Sequence, residues 1–185
     1  MKTWQKQIAI LAGIALVILA GYFINLLTGG WLNAVFALKP RQLSGLWGII
    51  FSPWLHADWA HLCSNLPILL LFSCLVMWDS LLTFVKVSLF IILFGGLLVW
   101  IFGRNAYHIG ASGWIFGLWA WLIMHAYFEH NLKSFLISAA IIFLYGGVAW
   151  GLLPKTGISV ESHIAGALSG ILAAYIPSKL KLKRR

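Results

Sequence analysis

Six stretches of this chain run for about 20 residues almost free of charge, the length an α-helix needs to cross the hydrocarbon core of a bilayer. They cover roughly 7–27, 59–78, 81–102, 112–129, 133–152 and 162–178. In lipid the backbone must satisfy its own hydrogen bonds, so runs of this length are read as helices. Hydrophobic residues make up 62% of the 185 and charged residues 9%, with a mean hydropathy of +0.93. That is more apolar surface than a soluble domain of this size can bury. The expected fold class is therefore all-α: an integral membrane bundle of six transmembrane helices, in one domain over 1–185.

The first stretch admits a second reading. MKTWQKQ followed by an apolar run resembles a signal peptide, but the run is longer than the usual core of such a peptide. A retained helix is expected. Net charge is +9, and five of the thirteen cations fall in the closing KLKLKRR. A basic cluster directly after an apolar helix marks a cytoplasmic membrane surface, where it also meets anionic lipid. No basic-aromatic surface accompanies it, so nucleic acid is not an expected partner. With the N-terminus inside, nine cations fall on the inner side and four (Lys39, Arg41, Arg104, Lys155) on the outer. Both termini are then cytoplasmic. Spans two, four and six all run inward, and their N-terminal ends share the outer half of the membrane.

Polar residues of the spans gather at those three ends: His61 and Asn65, Ser112, and His163. Polar groups at membrane depth normally line a cavity and carry function. Ser112 sits in HIGASGWIFG. It can simply ease helix packing or bond a backbone carbonyl. The glycines around it point further: Gly110 permits unusual backbone angles, and Gly113 with Gly117 forms a GxxxG face. His163, in SHIAGALSG, is followed by Gly166 and Gly170 on its own helical face, a second GxxxG. Two such helices can approach closely enough for short side chains to meet. A serine and a histidine meeting there form a nucleophile and a general base. The free N–H groups at the start of the Ser112 helix can also stabilise charge developing on a substrate oxygen.

A third member is hard to supply. The four acids are Asp58, Asp79, Glu129 and Glu161. Asp79 and Glu129 fall at the inner surface, Glu161 on another face from His163, and Asp58 in the turn before span two. The economical reading is a dyad without a carboxylate, its imidazole oriented by packing, with Phe116 one turn below Ser112 placed to stack on it. His61 and Asn65 share a helix face. They are either a structural pair or an oxyanion hole of imidazole and amide N–H groups. His56 reads as structural, His108 is placed where it could line the cavity mouth and has no assigned role, and His125 and His130 read as interfacial. HADWAH lacks the HExxH spacing, and no suitably placed carboxylate completes it, so a catalytic metal is not expected. Cys63 and Cys74 lie about 16 Å apart along one helix and cannot bridge; both read as small buried hydrophobes.

LHADWAHLCSN, GASG and SHIAGALSG, in that order and on those helices, make the chain resemble the rhomboid intramembrane serine proteases, in particular the compact bacterial form with six helices. The resemblance implies Ser112 as nucleophile and His163 as general base and then acid. His61, Asn65 and the Ser112 backbone N–H would form the oxyanion hole, and Gly110, Gly113, Phe116, Gly117, Gly166 and Gly170 would pack the dyad. It further implies transmembrane proteins as substrates, no cofactor, and a bacterial inner membrane with the site opening outward. Segment 30–50 corresponds to the family's first loop, and span five with 153–161 to its gate and cap. Two positions depart from the family pattern: Phe116 stands where tyrosine is frequent, and Trp47-Gly48 where some members carry Trp-Arg.

The expected activity is peptide hydrolysis through an acyl-enzyme. It needs water at Ser112 and a substrate helix that unwinds locally to expose its carbonyls. The alternative of another class is an inactive rhomboid-like protein that binds transmembrane segments. A small transporter would need charges at the midplane, and the sequence places none beyond the dyad region.

Overall fold

The computed structural model describes residues 3–154 and 157–182, with side chains to Ile176. Nine α-helices are present among these residues: α1 (Thr3–Leu27), α2 (Trp31–Phe36), α3 (Gly48–Phe51), α4 (Trp59–Met77), α5 (Leu81–Phe90), α6 (Gly96–Phe102), α7 (Ser112–Glu129), α8 (Leu132–Tyr145) and α9 (Val160–Leu182). A π-helical turn, Ile91–Gly95, joins α5 and α6 into one rod, and a 3₁₀ stretch, Gly146–Leu152, extends α8. The described residues contain no strand, only an isolated antiparallel bridge between Leu38 and His108.

Four helical rods are long and apolar enough to cross a membrane: Thr3–Leu27, Trp59–Met77, Leu81–Phe102 and Leu132–Leu152. α7 and the apolar part of α9, Val160–Ile176, are not among them. The reason is physical. α7 carries glycines, tryptophans, His125 and Glu129, and its middle is enclosed by the other helices, so it meets little lipid. Ile115, Leu118, Trp121 and Leu122 of α7 pack into one core with Leu62, Leu69 and Phe72 of α4, and with Phe84, Val87 and Ile91 of the α5 rod. By contrast, only 11% of the Leu132–Leu152 window is buried, so α8 stands at the edge of the bundle.

Helix starts follow capping chemistry. Asp58 accepts the His61 N–H at 2.8 Å, Ser80 the Thr83 N–H at 2.9 Å, and Asn131 the Ser134 N–H at 2.9 Å; each satisfies an otherwise unpaired amide. The segment between α1 and α4 is latched to the end of α6. Arg41 donates to the carbonyls of Ile101 and Gly103 at 3.1 and 2.7 Å, and Trp100 Nε1 donates to Gln42 at 2.9 Å. Within that segment Gly48 lies against the backbones of Ala37 and Leu38, where a Cβ would collide. The glycine of Trp47-Gly48 is thus required by the path of the chain, and no arginine fits there.

One sequence expectation is corrected. Cys63 and Cys74 are free but exposed, not buried. An apolar thiol on the outer face of a membrane helix meets lipid instead of core, and hydropathy does not distinguish the two.

Candidate active site

Three helices build the site, and glycine decides how close they come. Cβ atoms at Gly166 and Gly170 of α9 would collide with the carbonyl oxygens of Gly113 and Gly117 of α7. The two backbones are in direct contact over this stretch. The two glycine pairs are not equivalent, however. Gly113 turns its own Cβ position to the Ser162 carbonyl at 3.0 Å, while that of Gly117 is filled by Ile91 from the α5 rod. Gly117 therefore serves a second helix contact that a simple pair of facing GxxxG stripes does not include.

Ser112 is the first residue of α7. The chain turns into the helix at Gly110, whose φ of 112° is strained for any side chain. A Cβ at Gly110 would also lie 2.6 Å from Cε1 and 2.7 Å from Nε2 of His61. The glycine thus lets the His61 ring of α4 rest on backbone two residues before the serine. The Gly110 N–H donates to the Ser52 carbonyl at 2.9 Å, which fixes the turn. Unlike α4, α5 and α8, α7 has no side-chain cap. No side chain occupies its first amides, the groups that an anion-stabilising helix start uses.

His163 is buried, and its ring is held on two sides. Phe116 stacks on it with centroids 4.1 Å apart and planes 10° apart. Its Nδ1 lies 2.7 Å from the Gly151 carbonyl. A carbonyl only accepts, so Nδ1 carries the proton and Nε2 keeps its lone pair. That is the tautomer a general base needs. No acid is hydrogen-bonded to the His163 ring among the described residues: Asp58 caps α4, and Glu161 pairs with Arg104 at 3.5 Å. No hydrogen bond joins Ser112 Oγ to His163 among the described residues.

His61 and Asn65 share the face of α4 turned to the site. Asn65 is buried, and its amide donates to the His61 carbonyl of its own helix at 2.7 Å. His56 stands edge-on to His61, ring centroids 5.0 Å apart. Its ring is buried, and neither nitrogen has a hydrogen-bond partner among the described residues. Burial, then the charge of neighbouring His61, holds the His56 pKa down from 6.5 to about 4. His108 is buried with both ring nitrogens engaged, by Ser159 and by the Arg104 carbonyl. His125 stacks on Trp121 at 4.2 Å, at the far end of α7.

Cavity size points away from this constellation. Cavities of about 480 and 830 Å³ lie around His125 and His130, at the far end of α7, whereas only about 40 Å³ adjoins Gly110, Gly113 and Gly166. The convergence of polar groups, not volume, marks the site. Two participants escape a reading of the sequence: Gly151, whose carbonyl orients the imidazole, and Ser159 with its partners. The glycine run GGVAWG is a signal for the first, because a glycine there lets Phe116 and His163 approach.

Residues 43–180 match the family profile described as "Rhomboid domain". An uncharacterized protein of Mycobacterium tuberculosis is 37% identical over 172 residues, covering 88% of this chain and 71% of that protein. "RHOMBOID-like protein 4" of Arabidopsis thaliana is 26% identical over 136 residues, 70% of this chain and 34% of that protein. "Rhomboid-like protein 11, chloroplastic" of the same plant is 30% identical over 150 residues, 67% of this chain and 50% of its own length.

Proposed function

Because the chain belongs to the rhomboid family and is an integral membrane protein, we propose that it is an intramembrane serine endopeptidase. In this reading α7 and α9 are spans four and six of a six-helix membrane domain, both termini face the cytoplasm of a bacterial cell, and the site opens to the outer side. Ser112 Oγ attacks a substrate carbonyl carbon while His163 Nε2 takes its proton. The oxyanion is held by the Ser112 N–H, the His61 ring and the Asn65 amide, which turns from the His61 carbonyl to do so. Collapse returns the proton to the leaving amine, and water then releases the acyl group with His163 again as base. The substrates are transmembrane or juxtamembrane segments of other proteins, preferably with weak helix formers at the scissile bond.

The observation that carries this reading is the His163 ring, fixed between Phe116 and the Gly151 carbonyl in the tautomer a base needs. The Asn65 amide bonded within its own helix favours a second reading, an inactive relative that holds transmembrane segments without cutting them. Cleavage of a reporter transmembrane substrate by purified protein in detergent decides between them. Ser112→Ala and His163→Ala should each lower kcat at least about a thousandfold, and a fluorophosphonate should label wild type but not Ser112→Ala. Undiminished cleavage by Ser112→Ala would reject the assignment.

A further inference from the structure

We propose that His108 is a positioning residue for the reaction, setting the place of His163 through Ser159. This rests on the reading of His163 as the general base. Ser159 stands immediately before α9, and its carbonyl accepts the N–H groups of Ser162 and His163 at 3.1 and 3.3 Å. The first turn of α9, which presents His163, therefore hangs from Ser159. The Ser159 hydroxyl is in turn held 2.5 Å from His108 Nδ1 and 2.6 Å from Ser162 Oγ.

For a neutral His108 ring the partners set the direction of the protons. His108 Nε2 lies 3.0 Å from the Arg104 carbonyl, which only accepts, so Nε2 carries the hydrogen. Nδ1 of the neutral ring is then an acceptor, and Ser159 donates to it. The Ser159 oxygen is left to accept from the Ser162 hydroxyl and from the Ser162 N–H at 3.3 Å. The chain runs one way, from Ser162 through Ser159 and His108 to Arg104, and each hydroxyl has one donor role. A polar chain of this kind, part-buried and anchored on the buried His108, rigidifies its elements when fully satisfied.

His108 is itself a fixed point. The residue is 2% exposed, and its backbone exchanges two hydrogen bonds with Leu38, at 3.1 and 3.0 Å. It precedes Ser112 by four residues in the segment that turns at Gly110. One imidazole thus references the start of α9 to the segment that delivers the nucleophile. Arg104 supports the same junction from outside, donating to the Ile158 carbonyl at 2.5 Å and pairing with Glu161 at 3.5 Å. At the other end Ser162 meets Gly113, whose Cβ position is 3.0 Å from the Ser162 carbonyl.

Two substitutions separate the two ring contacts. His108→Asn keeps an acceptor at the Nδ1 position, facing Ser159, and gives up Arg104. His108→Gln reaches the Arg104 carbonyl and gives up Ser159. With the reporter assay on the full chain in detergent, His108→Gln and Ser159→Ala should each lower kcat about tenfold or more with KM little changed, because a small misplacement of the base is costly. His108→Asn should recover most of the wild-type rate. The double variant His108→Gln/Ser159→Ala should be no slower than the worse single variant, since both break one link. Thermal midpoints measured alongside separate loss of position from loss of fold. Full activity of His108→Gln, equal losses in the Asn and Gln variants, or multiplying losses in the double variant would each overturn the proposal. If wild type itself does not cleave, the protease reading falls and this proposal with it. If wild type cleaves, Ser112→Ala does not, and the His108 variants are unimpaired, only the positioning role falls.

Discussion

The Phe116 ring lies parallel to the His163 imidazole, 4.1 Å away and tilted by 10°. A stacked aromatic pair contributes about 0.5–1.5 kcal/mol beyond its buried area, and in the protease reading it takes the place of the carboxylate that orients histidine in many hydrolases. Phe116→Leu keeps the volume nearly constant but removes the flat face. Its kcat on a reporter substrate should fall about tenfold, with a small loss of thermal stability. Wild-type kcat in that variant would show that the stack does not orient the ring.

Gly151 supplies the other restraint. A Cβ there would lie 2.5 Å from Phe116 Cζ and 3.4 Å from His163 Nδ1. Gly151→Ala should displace both rings and lower kcat about tenfold or more. The same substitution at Gly146 or Gly147, where a Cβ meets nothing within 4 Å, should leave the rate unchanged. Steady-state kinetics of the three variants tests this.

Gly166→Ala and Gly170→Ala introduce methyl groups where the α7 carbonyls already lie. Overpacking costs about 1–3 kcal/mol even where side chains can move, and a helix backbone moves less readily. Each variant should melt about 4–10 °C below wild type in detergent. Gly13→Ala, with open space around it, should not. Equal midpoints for all three would remove the argument for backbone contact.

The pH dependence of stability should carry the signature of His56. Its pKa is lowered to about 4 in the fold, from 6.5. Between those values the unfolded chain takes up a proton that the folded chain refuses, so stability falls as pH drops from 6.5 towards 4. Above 6.5 the group is neutral in both states and contributes nothing to the slope. The full penalty is about 3 kcal/mol. His56→Gln should flatten the melting temperature across this window while leaving it unaltered above pH 7. An unchanged slope in that variant would exclude His56 as its source.

Much of this was readable in the order of residues. The expected apolar stretches match helices to within a few residues, and four of them are rods long and apolar enough to cross a membrane. The Phe116 stack was also legible, since i and i+4 positions share a helix face. What the sequence could not reveal depends on contacts between distant segments. The glycine run GGVAWG hints at a close approach near Gly151 but does not name His163 as its partner, and nothing local marks Ser159 as the partner of His108, 51 residues away. Cys63 and Cys74 failed for another reason: in a bilayer, facing inward and facing outward demand the same apolar chemistry. Hydropathy likewise qualified α1 and the α8 rod as membrane spans but not α7, the helix that bears the serine.

The 3₁₀ stretch that ends in Leu152 continues the least enclosed rod of the bundle, yet one of its carbonyls dictates where the proton sits on the imidazole. Any outward swing of that rod must release the Nδ1 hydrogen and free the ring to rotate. Opening this flank would therefore loosen the imidazole that the protease reading makes the general base.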